Sequence, residues 1–207
     1  MGLAEIKNAY LTRKKEIKSR LKEFKENKDI FYELCFCLLT PQSNAKKCWE
    51  ARNILKQKNF LSNKLSIAEL EEILKTRTRF YRNKASYLLA ARNNFADVKK
   101  QLGNDSFKNR ELLVKKIKGV KKIKGIFYKE SSHFLRNIGY ENLAILDRHI
   151  LKNLHANGII EVQLKTLTRK KYLEIEKKFI NFSERINIPM DELDLLFWSI
   201  ETGEVFR

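Results

Sequence analysis

Apolar residues recur at three- and four-residue spacing through most of the chain, and no stretch sustains the period-two alternation of a half-buried strand. Leu3, Ile6, Tyr10, Ile17 and Leu21 line one side of a first helix that runs into the charged stretch KEFKENKD. The next segment, IFYELCFCLLT, is apolar nearly all round, which predicts a central, buried helix. It stops at Thr40, because Pro41 disfavours helical backbone in the residue before it. Ser43 and Asn44 are alternative caps for the helix AKKCWEARNILKQ. Ser66 with Glu69 three residues on writes a capping box at the head of SIAELEEILKT. NKASYLLAARNNFADVKK follows and closes at Gly103. RELLVKKIKGV, TRKKYLEIEKKFINFSERI and MDELDLLFWSIETG, the last introduced by Pro189, continue the helical pattern. The pattern predicts an all-α fold of about nine or ten helices, without internal repeat, low-complexity segment or long linker.

Composition agrees and narrows the class. The 207 residues are 43% apolar, enough for a real core, and seven glycines and two prolines leave few helix breakers. That length makes one large domain or two small lobes sharing a core. No run of about 18 apolar residues is present for a membrane span. The start MGLAEIKNAYLTRKK lacks the apolar core of a signal peptide, and Ile6 breaks the myristoylation pattern that Gly2 begins. Cys35, Cys37 and Cys48 make an odd count, which with no secretion signal points to reduced thiols in the cytoplasm. Cys35 and Cys37 lie inside an apolar run and are expected to act as small buried hydrophobes. No Cys/His spacing fits a zinc or iron–sulfur site, and His149 and His155 have no ligand spacing with Asp or Cys.

Charge changes the picture most. Forty-three Lys plus Arg face 25 Asp plus Glu, a formal net charge of +18. Such a chain attracts polyanions through its long-range field and counterion release, and nucleic acid is the first candidate partner. The alternative is lysine-rich usage inherited from a thermophilic or AT-rich source.

The chemistry concentrates in KKIKGIFYKESSHFLRNIGYENLAILDRHIL, from Lys121 to Leu151. Between Arg110 and Ile138 the pattern reads helix, short glycine turn, helix. Gly119, Gly125 and Gly139 fall close together, and six lysines lie from Lys115 to Lys124. Gly125 permits a positive φ and a close backbone approach, and the helix start after it offers N–H groups to a phosphate. Lys121, Lys122 and Lys124 add charge there; an ordinary hairpin with a solvated face is the alternative reading. Lys129 falls at the head of the second helix. A cation there opposes the macrodipole and is repelled by neighbouring lysines, and both effects favour the neutral amine a nucleophile requires. Asp147 sits where an N-cap would, a position that also keeps a carboxylate ionised and fixes its aim. Opposite Lys129 it would stabilise positive charge on a sugar or move a proton. His133, one turn after Lys129, would tune the lysine or serve as a structural histidine.

IKGIFYKE with NIGYENLAILD resembles the helix–hairpin–helix, Gly/Pro-rich loop and Asp signature of endonuclease III-type DNA glycosylases. KESSHFLRNIG and LDRHIL look closest to the type 2 8-oxoguanine DNA glycosylase/lyases, found mainly in archaea, and the resemblance covers nearly the whole chain. It implies two helical lobes with the hairpin bordering the cleft between them, residues 30–138 forming one and residues 1–29 plus 139–207 the other. It implies that Lys129 is the Schiff-base nucleophile, Asp147 the family aspartate and Gly125 the first hairpin glycine. Gln42, in LLTPQSNAKKCWEA, is similar to the glutamine that fills the gap left by the flipped base. Arg207, ending LDLLFWSIETGEVFR, matches the basic last residue that separates 8-oxoguanine from guanine. Trp198 is a candidate for stacking near the base, with core packing the alternative. Two departures stand out: Phe127 occupies the second hairpin glycine, and the loop keeps Gly139 but has no proline. The four-cysteine cluster of endonuclease III is missing, so no iron–sulfur centre or other cofactor is implied. The expected partner is double-stranded DNA with oxidised or abasic sites, met by a monomer. The implied function is 8-oxoguanine excision followed by β-elimination. A glycosylase for oxidised pyrimidines and a non-catalytic DNA-binding module are the alternatives.

Overall fold

The computed structural model describes residues 2–115, 123–162, 164 and 166–207. Among them lie ten helices and no strand: α1 (Leu3–Lys25), α2 (Ile30–Leu39), α3 (Ala45–Gln57), α4 (Ile67–Lys75), α5 (Tyr81–Gln101), α6 (Ser106–Val114), α7 (Tyr128–Asn137), α8 (Arg148–Ala156), α9 (Arg169–Ile186) and α10 (Met190–Thr202). The all-α expectation holds. The chain divides into two compact units, Lys28–Phe134 and Met1–Asn27 with Leu135–Arg207, and the division falls inside α7.

In the 28–134 unit, α2 is the axis. Leu34, Cys35, Phe36, Cys37 and Leu39 have no exposed surface, as a helix apolar on all sides requires. α3 and α5 pack on it, and α4 packs on α5. Phe31 meets Phe95 edge-on at 5.0 Å between ring centroids. Of the two possible caps of α3, Asn44 takes the role: its side chain accepts from the Lys47 amide at 3.1 Å. Ser66 and Glu69 form the expected reciprocal box at the head of α4.

In the other unit, α1, α8 and α9 each pack on α10. The buried side of α1 carries Ile6, Tyr10, Ile17 and Phe24. The pattern had placed Leu3 on it, but Leu3 is 50% exposed, whereas Phe24 is fully buried. Phe24 continues the seven-residue step from Ile17, two turns of helix, and so keeps the same face.

Residues 140–147 follow α7 without regular structure, yet Leu143, Ala144, Ile145 and Leu146 are buried. Their amides therefore need acceptors from elsewhere. Glu176 accepts from Ala144 N at 3.0 Å and Asp194 from Ile145 N at 3.2 Å, while Asp191 accepts from the amide of the preceding, exposed Asn142 at 2.9 Å. The Tyr172 hydroxyl donates to the Ala144 carbonyl at 2.5 Å. Arg136, at the end of α7, is paired with Asp194 at 2.7 Å, both side chains nearly sealed from solvent. Burial pushes the Asp194 carboxyl up to about 7, with Arg136 opposing the shift and Asp147 adding to it.

The chain enters this segment through Gly139. Its amide bonds back to Arg136 O and the Tyr140 amide to Leu135 O, the paired bonds that close a helix on a left-handed residue. Gly139 has φ +95°, and an added Cβ would stand 2.9 Å from Lys25 Cα, a backbone atom. Gly139→Ala is expected to cost about 2 kcal/mol or more, from the left-handed penalty plus the shift forced on α1. Urea denaturation of the two proteins checks this, and a loss below about 0.5 kcal/mol would contradict it.

Candidate active site

The turn before α7 is anchored at both ends. Ile123 and Ile126 are buried, and Lys124 between them is exposed. Gly125 has φ +83°, and an added Cβ would fall 2.4 Å from Cδ2 of Tyr87. The close approach expected of this glycine is therefore made to an aromatic ring of α5. Lys121 and Lys122, read from the sequence as backbone contacts, lie outside the described residues.

Phe127, the residue that departs from the hairpin pattern, is 62% exposed. Its amide donates to Glu130 Oε2 at 3.3 Å, so an N–H that the sequence reading offered to a phosphate is engaged within the chain. Tyr128 opens α7 and binds back to α6: its hydroxyl donates to Glu111 at 2.5 Å, and the Arg110 guanidinium lies 5.3 Å from its ring centre. Arg110 also donates to Ser132 Oγ at 3.2 Å.

Lys129 is the second residue of α7, and its side chain is 27% exposed. Its Nζ lies 3.2 Å from Glu130 Oε1, a neighbour that offsets part of the repulsion expected from nearby lysines. Two buried groups that the sequence did not assign to the chemistry interact with its charge. One is Cys48, fully buried, whose thiol is pushed up to about 11 by burial while Lys84 and Lys129 pull it back. The other is Lys84, only 3% exposed. Burial brings Lys84 down to about 8, with Cys48 opposing the shift and the charges of Lys129 and Arg79 adding to it. A lysine in an amphipathic helix carries no signal of such burial, and the pattern of α5 could not have singled it out. His133 is buried, with its ring edge-on to Phe36 at 5.7 Å, the setting of a packed histidine.

Gln42 lies in the turn between α2 and α3, exposed, with a left-handed backbone of φ 53°. Phe80, at the head of α5, repeats that combination: φ 56°, 52% exposed, with the Arg79 guanidinium 5.4 Å from its ring centre. The apolar pattern had no reason to mark Phe80, since an exposed phenylalanine reads as core in sequence.

Asp147 belongs to the other unit and caps α8 as expected. Its Oδ1 accepts from the amides of His149 at 2.8 Å and Ile150 at 2.9 Å. In the same unit the C-terminal residues fold back on aromatic rings. Trp198 stacks with Phe206 at 6.3 Å, Val205 is buried, and the Arg207 guanidinium lies 5.3 Å from the centre of Phe24. Trp198 is half-buried, so it is not a sealed core residue. No group of three or more His, Cys, Asp or Glu is placed to hold a metal among the described residues. No helix among them is long and apolar enough to cross a membrane.

Comparison with known proteins points one way. The family model described as 8-oxoguanine DNA glycosylase matches residues 12–188. An 8-oxoguanine DNA glycosylase/AP lyase of Fusobacterium nucleatum is 45% identical, over 98% of this chain and 96% of its own length. That of Methanocaldococcus jannaschii is 41% identical, over 99% and 97%. Among solved structures, the M. jannaschii glycosylase/lyase in complex with 15mer DNA containing 8-oxoguanine has a TM-score of 0.85 at 39% identity, covering 99% of both chains. The 8-oxoguanine DNA glycosylase of Thermotoga maritima has a TM-score of 0.87 at 32% identity, covering 99% of this chain and 98% of its own.

The buried ammonium of Lys84 has a measurable consequence. Its folded value of about 8 lies below the 10.5 of a free lysine, so the folded state gives up this proton first. Between those two values the unfolded chain holds more protons, and the contribution of Lys84 to stability rises with pH. The stability difference between wild type and Lys84→Met is expected to move in favour of wild type from about pH 8 to pH 10.5. Urea midpoints across that window test this, and a flat difference would contradict it.

Proposed function

The chain belongs to the 8-oxoguanine DNA glycosylase family, and from that premise we propose how its own residues carry the reaction. It is a bifunctional enzyme, a DNA N-glycosylase that excises 8-oxoguanine and a lyase that cleaves the resulting abasic site. A purely DNA-binding role is thereby excluded.

The base must leave the stack before C1′ of its sugar can be reached. Lys129 is the nucleophile in the proposed reaction. Its free amine attacks C1′ as the glycosidic bond to the damaged base breaks; the C1′–O4′ bond then opens, O4′ takes up a proton given up by the amine, and a Schiff base remains. Proton loss at C2′ then expels the 3′ phosphate. Asp147 stabilises the positive charge that develops on the sugar and helps activate Lys129. The observation that carries this reading is the setting of Lys129. It lies in the first turn of a helix, largely withdrawn from solvent, among the buried groups Cys48 and Lys84. An ordinary surface lysine would stand in water. The double amide bond to Asp147 supports its part, because a carboxylate held by backbone N–H groups stays ionised and aimed.

Gln42 fills the space vacated by the base, a role that suits an exposed side chain on a strained turn. Trp198 and Arg207 serve base recognition, Trp198 by stacking and Arg207 by contact with the features that distinguish 8-oxoguanine. Their support is the folded-back C-terminal segment, which holds both against aromatic rings. His133 supports the helix carrying Lys129 through its packing on Phe36. Gly125 and Lys124 serve contact with the DNA backbone, and the charges of Lys121 and Lys122 add to it. The enzyme acts as a monomer in the cytoplasm, on DNA with oxidised or abasic sites. Its three buried free cysteines suit such reducing surroundings.

Incubation with 8-oxoguanine duplex and borohydride is expected to yield a covalent protein–DNA adduct, lost in Lys129→Gln. An adduct of wild-type yield in that variant would remove Lys129 from the reaction. Deleting Arg207 is expected to slow 8-oxoguanine excision at least about tenfold while leaving cleavage of preformed abasic sites within about threefold. Equal losses on the two substrates would count against base discrimination by the tail.

A further inference from the structure

Gln42 and Phe80 are the residues of the 28–134 unit with a left-handed backbone that are neither glycine nor asparagine, among those described. Both are exposed, and they stand in different connections, one between α2 and α3 and the other at the head of α5. A side chain with a Cβ does not hold this conformation without support from its surroundings. The support beneath both turns is a single buried ammonium.

Lys84 Nζ donates to the carbonyl of Leu39 at 2.7 Å, the carbonyl of Pro41 at 2.8 Å and Ser43 Oγ at 2.7 Å. An ammonium has three N–H donors, and these bonds employ all of them. Two of the acceptors, on Pro41 and Ser43, bracket Gln42. The third, on Leu39, is a carbonyl of the last turn of α2, where the helix dipole favours a cation. Ser43 Oγ then accepts from the amide of Arg79 at 2.9 Å, the residue before Phe80. One knot of hydrogen bonds thus ties the two strained turns to each other and to the end of α2.

Lys84 is 3% exposed. A buried charge is a costly way to close a helix, and glycine or a polar cap closes most helices without one. Here the charge serves two segments that face solvent, where ordinary fold stability asks for no such device. We propose that Lys84, acting through Ser43, is a positioning residue that presets the Gln42 and Phe80 turns for entry into the damaged duplex. This rests on the reading of Gln42 as the residue that fills the gap left by the extruded base. A preset turn spares the cost of ordering these side chains when DNA binds.

A double-mutant cycle tests the proposal, because residues that act as one unit lose rate non-additively. In single-turnover excision of 8-oxoguanine from duplex DNA, K84M and Q42A are each expected to be slower by about tenfold or more. The double variant is expected to fall no further than the slower single one. K84R, which keeps a charged donor, recovers most of the rate. Additive losses, or K84M at the wild-type rate beside an impaired Q42A, would overturn the positioning role and leave the Gln42 reading standing. Q42A at the wild-type rate would overturn that reading and the proposal with it. If circular dichroism shows K84M unfolded, S43A replaces it in the cycle and the same outcomes decide.

Discussion

A buried backbone amide must find an acceptor, and residues 140–147 meet that demand with side chains rather than with helix or sheet. Asp191, Glu176 and Asp194 reach out from α9 and α10 to the amides of Asn142, Ala144 and Ile145. Burying carboxylates is unfavourable: desolvation pushes Asp191 up to about 6 and Asp194 up to about 7, and nearby acids add to the shift. Arg136 makes the arrangement possible by pairing with Asp194. The segment ends at Asp147, so the register of this strap sets where the α8 cap begins. The strap accounts for more than one loop: it ties α7, α9 and α10 around a stretch of chain that has no hydrogen-bonding pattern of its own.

The other unit solves the mirror-image problem. There, the groups to be satisfied are carbonyls, at Leu39 and Pro41, and a cation, Lys84, donates to both. In both units a charge is buried to define irregular backbone next to a residue assigned to the chemistry. Regular elements supply the scaffold, and the buried charges supply the local geometry that periodic packing cannot specify. This division explains why the strained positions, Gln42 and Phe80, lie beside a buried polar network and not in the apolar core.

How much of this was legible in the sequence follows from which interactions are periodic. α2 was evident because a helix buried on all sides needs apolar residues on all sides. The α4 box and the Asp147 cap were evident because capping is local, resolved within three residues. The resemblance in the stretch from Lys121 to Asp147 identified the family, which the comparisons established. Phe24 was missed in favour of Leu3 because the ends of an amphipathic face depend on the neighbouring helix, not on spacing alone. The tertiary roles of Lys84, Ser43, Asp191 and Asp194 were missed for a related reason. Each looks like a solvent-facing polar residue in a helix or loop, and these partners lie tens of residues away along the chain. Buried polar contacts have no period to detect.

The three cysteines acquire a further meaning from the reaction. An oxidised guanine arises where oxidants are present, and the same oxidants convert thiolates to sulfenic acid and beyond. The thiolate, not the thiol, is the vulnerable form. Cys35, Cys37 and Cys48 are all sealed inside the 28–134 unit. Burial pushes Cys48 up to about 11 and Cys35 upward as well, so both remain protonated at neutral pH. Sulfur placed this way fills volume in the core while offering an oxidant neither access nor a reactive charge. The packing that holds the unit together also lets a repair enzyme outlast the conditions that create its substrate.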